Sequence, residues 1–489
     1  MFVRRASRAF IAGVLIAASF FLAPPPTASA AWCSGTTYQD FDDDDRADLV
    51  VARTMPTGTH GVVDIRMSSG TTQTISADDL GYTSAANDQF GASVDISNID
   101  ELDNCPDLLI GAPGSAGGGA VYLVRGNGNG IDATTAIRLP APIADARFGT
   151  TVSATDLSLT RVKLLVGAPG LDVGSATDAG GVMVWQLSQG EPTGSPATFT
   201  YADFGATPAT GDHLGAVMDV VSWTVTLGVP DRNIGAAINA GEVVTFSFVD
   251  EPNVLQVADW TRANQNSPGA PGVAEAYDRF GASVDAAGAI FLVGVPGEDV
   301  GERKDVGAVA HFVELGNHTT GNWVSWTQDS SGVPGANEAG DRFGAAVHLA
   351  WIEVLLDGDP YPLQVFVVGA PGEDIGSVRD AGAITVLAPG VKPAFGLSQG
   401  SGLPGKAERG DQVGAAFGDL PGEYRGPYYG GDGIVVGAPG EDVGTTVDTG
   451  LVMYARGILP KGKFSWGTAA NLGTHIAGAR YGWTLPTMS

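Results

Sequence analysis

Beyond its first thirty residues, the chain has no apolar run long enough to span a bilayer as a helix. That excludes an integral membrane role by helices. Basic residues are scarce, 26 Lys and Arg against 54 Asp and Glu. Such a balance repels nucleic acid and anionic lipid, and favours solubility and cation binding. Histidine is rare too. The six are scattered, with no His-x-x-x-His pair and no carboxylate at a telling distance in sequence. Cysteine occurs only as Cys33 and Cys105. An even count suits an exported protein.

The N-terminus reads as an export signal. Arg4, Arg5 and Arg8 form a basic start, and Phe10 to Ala23 is an uncharged, mostly apolar run. Pro24-Pro25-Pro26 and the small residues Ala28-Ser29-Ala30 follow, which places cleavage near Ala30. Residues 1–30 are therefore expected to be a signal peptide and 31–489 one secreted, monomeric domain. Removing residues 1–30 takes away three arginines and no acid. The remainder has 23 basic against 54 acidic residues, a net of −31.

Glycine is abundant, 71 residues beside 29 prolines, and it falls at fixed offsets between Val/Ile/Leu-rich runs. That pattern means many strands joined by tight turns. A Phe-Gly-like step occurs at Phe90-Gly91, Phe148-Gly149, Leu214-Gly215, Phe280-Gly281, Phe343-Gly344, Val413-Gly414 and Tyr481-Gly482, about 65 residues apart. A Gly-Ala-Pro-like step lies between successive copies, as in Gly294-Val295-Pro296 and Gly369-Ala370-Pro371. Each unit reads as four short strands, the content of a propeller blade; a solenoid would want capping units at its ends. The chain opens on the second strand of a unit, Asp48 to Ala52, and closes on a lone Phe-Gly-like strand, Arg480 to Leu485. Together these complete one blade. The expected fold is all-β: a seven-bladed propeller of four-stranded antiparallel blades, closed by pairing the C-terminal strand with N-terminal ones.

Phe-Gly followed by Gly-Ala-Pro, with an Asp-rich loop in the first unit, resembles the FG-GAP repeats of the integrin α-subunit head. The resemblance covers roughly Gln39 to Leu485. It implies calcium-binding loops and adhesion-type binding of protein or carbohydrate. The integrin leg domains are absent, so the receptor role does not carry over.

The best candidate for chemistry is Asp40-Phe41-Asp42-Asp43-Asp44-Asp45-Arg46-Ala47-Asp48. Asp40, Asp42, Asp44 and Asp48 stand at positions 1, 3, 5 and 9, which lets them wrap one hard cation such as Ca²⁺. Position 6 is Asp45 where such loops usually carry glycine for a positive φ, a conformation aspartate tolerates better than most residues. The next unit keeps a reduced set, Glu101, Asp103 and Asp107, with Ile99 at position 1; this is a weaker second site. A further repeated pair, such as Asp299 with Asp305 or Asn233 with Asn239, reads as turn chemistry, because Asn preserves the acceptor and surrenders the charge. In the closed ring Cys33 and Cys105 fall in neighbouring blades. A disulfide is the expected pairing, and two buried thiols are the alternative.

Two short motifs are explained by the repeat. Arg409-Gly410-Asp411 occupies the position of Gly340-Asp341, and Gly396-Leu397-Ser398-Gln399-Gly400 lies on an outer strand, without the strand–turn–helix setting of a nucleophile elbow. The leading expectation is a calcium-binding extracellular module with no catalytic residues. The alternative is a secreted hydrolase or lyase with its site at the channel mouth.

Overall fold

A computed structural model describes residues 33, 34 and 39–488, apart from 54–59, 101, 156–161, 223, 250–253, 317–318, 357–358, 389–390, 421–432, 456–465, 471–483 and 486. Seven sheets follow one another in chain order. Blade 5 shows the common plan. Ser283–Ala287, Ile290–Val295, Ala308–Gly316 and Thr319–Trp326 pair antiparallel in sequence order. Blades 2, 3, 4, 6 and 7 repeat it, starting from Ser93–Ser97, Val152–Thr155, Val217–Val221, Val347–Leu356 and Phe417–Leu420. The fold is a seven-bladed β-propeller.

Blade 1 contributes Leu49–Arg53, Val62–Arg66 and Thr72–Ile75. Its remaining place is taken from the other end of the chain. The Ala52 N–H donates to the Thr484 carbonyl (3.4 Å), an antiparallel bridge beside the Leu49–Arg53 strand. The chain then continues into Thr487–Met488, which pairs parallel with the first strand of blade 2. The ring is therefore closed by the C-terminal segment, as the sequence implies. Tyr481-Gly482 itself lies outside the described residues. Two short parallel additions, this one and Gly402–Leu403 in blade 6, widen those sheets beyond four strands.

The repeated steps are what join the blades. Phe90, Phe148, Leu214, Phe280, Phe343 and Val413 are all fully buried. Each forms a parallel bridge to the glycine that opens the third strand of the preceding blade, for instance Phe343 with Gly307, or lies at that seam, as Phe90 does. Phe343 packs with Leu292 and Val309 of blade 5 and Phe366 of blade 6. Burying one such ring contributes about 1.5–3 kcal/mol. The residue before each of these positions holds a positive φ, from Gln89 at 57° to Gln412 at 55°, so the chain turns sharply into the innermost strand.

Histidine 311 sits within the blade 5–6 seam, stacked on Phe366 at 5.2 Å and tilted against Trp326. Burial pulls its pKa below the ordinary imidazole value. The unfolded chain therefore binds that proton more readily. This contribution to stability is complete above the ordinary imidazole pKa and is lost as the pH falls through the lower folded value. His311→Phe should accordingly show a shallower acid-side fall in stability than the parent. Denaturant midpoints measured on both proteins at several pH values between about 7 and about 5 check this; parallel curves would sink it.

Candidate functional site

The Asp-rich loop is built by its own carboxylates. Asp48, fully buried, accepts the backbone N–H groups of Phe41 and Ser68, both at 2.7 Å. Asp40 accepts those of Asp44 (3.1 Å) and Asp45 (2.7 Å). Phe41 is driven inside, and its carbonyl accepts the Gly130 N–H, which ties the loop to blade 2. Asp43 and Asp45 take positive φ angles of 55° and 65°. Asp45 thus adopts the conformation usually given to glycine at that position.

This wrapping brings ligand oxygens of Asp40, Asp42 and Asp48 within 4.8 Å of one another. Asp42 accepts from Ser69 Oγ through one oxygen, while its Oδ1 is buried with no hydrogen-bond partner. Asp44 is not one of the three; it accepts from the Arg46 N–H and Ser68 Oγ. Burial pushes Asp48 up to about 7, with the charges of Asp42 and Asp40 adding to it. Asp40 is raised for the same first reason, and by Asp44 and Asp42. Among the described residues no ammonium or guanidinium pairs with Asp40, Asp42 or Asp48. Three crowded carboxylates and one orphaned oxygen fit a hard cation such as Ca²⁺.

The second loop uses the same latch for another end. Asp107 accepts from the N–H groups of Ile99 (2.8 Å) and Gly126 (3.0 Å), the same pattern as Asp48. Asp103 accepts from the Cys105 N–H at 3.0 Å. Asp100, which precedes Glu101, pairs with Arg125 at 3.3 Å, so a guanidinium supplies positive charge there. Glu101 lies outside the described residues. Between the two loops Cys33 and Cys105 form a disulfide across a separation of 72 residues.

The repeated Asp pairs hold turns. The Asp305 N–H donates to Asp299 Oδ1 at 3.0 Å, and Asp380 to Asp374 at 2.9 Å; Asn239 does the same to Asn233 at 2.8 Å. The second member of each pair has a φ near 50°. Charge is dispensable to such a turn, which is why Asn serves.

Sequence reasoning missed the innermost ring. Asp95, Asp219 and Asp285 each stand five residues after the first residue of a Phe-Gly-like step. Each carboxylate accepts a backbone N–H from the innermost strand of the next blade: Ala154 (3.0 Å), Ala286 (2.9 Å) and Leu349 (2.8 Å). That recurring offset was a readable signal. The scattering of the histidines also needs correction. His348 Nδ1 lies 3.0 Å from Asp285, and His213 Nδ1 lies 2.8 Å from Asp231. The former pair is 63 residues apart in sequence and meets only because blades 5 and 6 are adjacent.

No family model matches the chain, and no curated protein sequence matches it. Among solved structures, the periplasmic gluconolactonase PpgL of Pseudomonas aeruginosa aligns at 12% identity and a TM-score of 0.41, covering 88% of this chain and 97% of that one. The α-L-arabinofuranosidase Arb93A of Fusarium graminearum, in complex with an iminosugar inhibitor, aligns at 12% identity and a TM-score of 0.38, covering 77% and 92%. Similarity at this level informs no site.

Proposed function

We propose that this chain is an exported, calcium-binding propeller that serves as an extracellular binding module for a protein or carbohydrate. The observation that carries the calcium reading is the convergence of Asp40, Asp42 and Asp48 around the unpartnered Asp42 Oδ1. Ca²⁺ bound there would neutralise carboxylates that burial disfavours. Its hold on the loop would fasten Phe41 and Ser68 through Asp48. The disulfide suits an oxidising compartment, in keeping with export. The binding role rests on the resemblance of the repeats and on the acidic balance of the chain. The enzymatic alternative would look first to His348 and Asp285, the His–carboxylate arrangement of a general base. His348 is 2% exposed and closed off from substrate, so the partly exposed His213–Asp231 pair is where that alternative is tested.

Adding Ca²⁺ should slow amide exchange at residues 39–48 and at Ser68, and Asp42→Ala should remove that local protection while leaving the other blades unchanged. At a hundredfold excess over Kd one such site stabilises by about 2.7 kcal/mol. Unchanged exchange in this loop between EDTA and millimolar Ca²⁺ would refute the metal. A glycan and protein array probed with the calcium-loaded chain tests the ligand class, and turnover of an ester or glycoside abolished by His213→Gln would favour the enzyme instead.

A further inference from the structure

The disulfide and the Asp40–Asp48 loop form one unit. Cys33 is 6% exposed and Cys105 fully buried, and the second Asp-rich loop seats them both. The Asp103 carbonyl accepts the Cys33 N–H at 2.9 Å, and Asp103 Oδ1 accepts that of Cys105 at 3.0 Å. An acid that the sequence offers as a metal ligand thus gives acceptors to the two cysteines. Gly128, between the third and fourth strands of blade 2, shows how near the parts lie. A Cβ there would stand 3.2 Å from Cys33 Sγ and 3.7 Å from Asp43 Cβ. The crosslink and the first loop pack on the same glycine.

Ser34 comes next in the chain and reaches into the first loop. Its backbone N–H donates to Asp43 Oδ1 at 2.7 Å, and its Oγ to Asp45 Oδ1 at 3.3 Å. Asp43 and Asp45 are the two residues between Asp40 and Asp48 whose φ is positive. Residues other than glycine disfavour that conformation, so a contact from outside the loop helps to keep it. What the two kinks achieve can be followed bond by bond. They bring the N–H groups of Asp44 and Asp45 onto the two oxygens of Asp40, at 3.1 and 2.7 Å. Asp40 so held is one of the three carboxylates that converge with Asp42 and Asp48. Ser34 is therefore a positioning residue: it fixes Asp43 and Asp45, and they fix Asp40. Ser34 itself is exposed, and the crosslink one residue away anchors it.

We infer that the Cys33–Cys105 disulfide sets the calcium affinity of the Asp40–Asp48 loop through Ser34, so that the site reaches full affinity only after the bond has closed. The inference rests on the calcium reading of that loop. The chemistry is thiol–disulfide exchange. A dithiol gives up two electrons and two protons, the S–S bond opens to the Cys33 and Cys105 thiols, and the reductant closes to its own disulfide. In an oxidising compartment a disulfide partner runs the exchange in reverse. A chain still in a reducing compartment would hold Ca²⁺ weakly, and export would arm the site. The coupling is reciprocal: the factor that the crosslink adds to calcium affinity is the factor by which Ca²⁺ favours the crosslink.

Calorimetric titration with Ca²⁺ compares the oxidised parent, Cys33→Ala/Cys105→Ala and Ser34→Ala. The double variant should bind about tenfold more weakly, the lower end of what one hydrogen bond to a charged group contributes. Ser34→Ala keeps the crosslink and the backbone contact to Asp43, and should bind about threefold more weakly. In the parent, saturating Ca²⁺ should make the reduction potential of the disulfide about 30 mV more negative than in EDTA, the same tenfold read from the other side. Dithiothreitol buffers, with alkylation of the freed thiols, measure it. Circular dichroism checks that each form is folded; where the forms lacking the crosslink are not, Ser34→Ala decides. Equal affinity in the three proteins, or a potential indifferent to Ca²⁺, overturns the inference and leaves the calcium reading standing. So does a weakened double variant beside an unchanged Ser34→Ala, which would route the coupling elsewhere. An oxidised parent whose Ca²⁺ uptake is the same as that of Asp42→Ala overturns both.

Discussion

Gly294→Ala is expected to destabilise the ring by about 4 kcal/mol, at the upper end for a core position overfilled against groups that cannot yield. A Cβ on Gly294 would stand 1.9 Å from the Gly344 carbonyl oxygen and 2.2 Å from Ser283 Oγ. Neither is free to withdraw. Ser283 Oγ donates to that same carbonyl at 2.9 Å, and the Gly344 N–H donates to the Gly369 carbonyl at 2.9 Å. Gly294 itself is paired on both sides, with Ser283 and with Val309. The approach recurs at Gly111 with Gly149 and at Gly369 with Gly414, so it belongs to the seam and not to one blade. Gly301→Ala is the control. Its φ of 64° costs a side chain about 1 kcal/mol, but no heavy atom lies within 4 Å of the added carbon. Denaturant midpoints for the two variants at fixed Ca²⁺ should differ by roughly 3 kcal/mol; equal effects would show that the seam opens easily.

Loss of the Cys33–Cys105 disulfide should cost a comparable amount, about 4 kcal/mol, because a crosslink closing a loop of 72 residues removes much of the freedom of the unfolded chain. The loop it closes contains all the strands that blade 1 draws from the N-terminal side. Cys105 is fully buried, so Cys33→Ala/Cys105→Ala is the cleaner variant; a serine would bury a new hydroxyl. Amide exchange in Leu49–Arg53 and Val62–Arg66 should accelerate before that of blades 3 to 6. A double variant within 1 kcal/mol of the parent, with uniform exchange, would mean that the C-terminal bridge at Thr484 holds the ring closed without it.

How much of this was legible depends on distance along the chain. The turn pairs, such as Asp299 with Asp305, close over six residues, and the Asn233/Asn239 copy discloses their role in the sequence itself. The loop latch of Asp48 on Phe41 is equally local. The Asp95, Asp219 and Asp285 bonds connect residues about 60 apart, and nothing near each aspartate announces its partner. Their common offset from the Phe-Gly step was visible, but only register between adjacent blades turns an offset into a hydrogen bond. The same is true of Gln265 with Glu298, where the glutamine leaves one blade and the glutamate belongs to the next.

By itself, then, the sequence determined the number of blades, their strand order and the closure of the ring. Each blade must present the same apolar and glycine positions to its neighbours, and a requirement repeated seven times leaves a period that can be read directly. Tertiary structure alone decided which polar groups meet between blades. It set Arg232 on Asp212, His348 on Asp285 and Gln265 on Glu298, because a blade's own pattern is blind to the polar groups its neighbour brings.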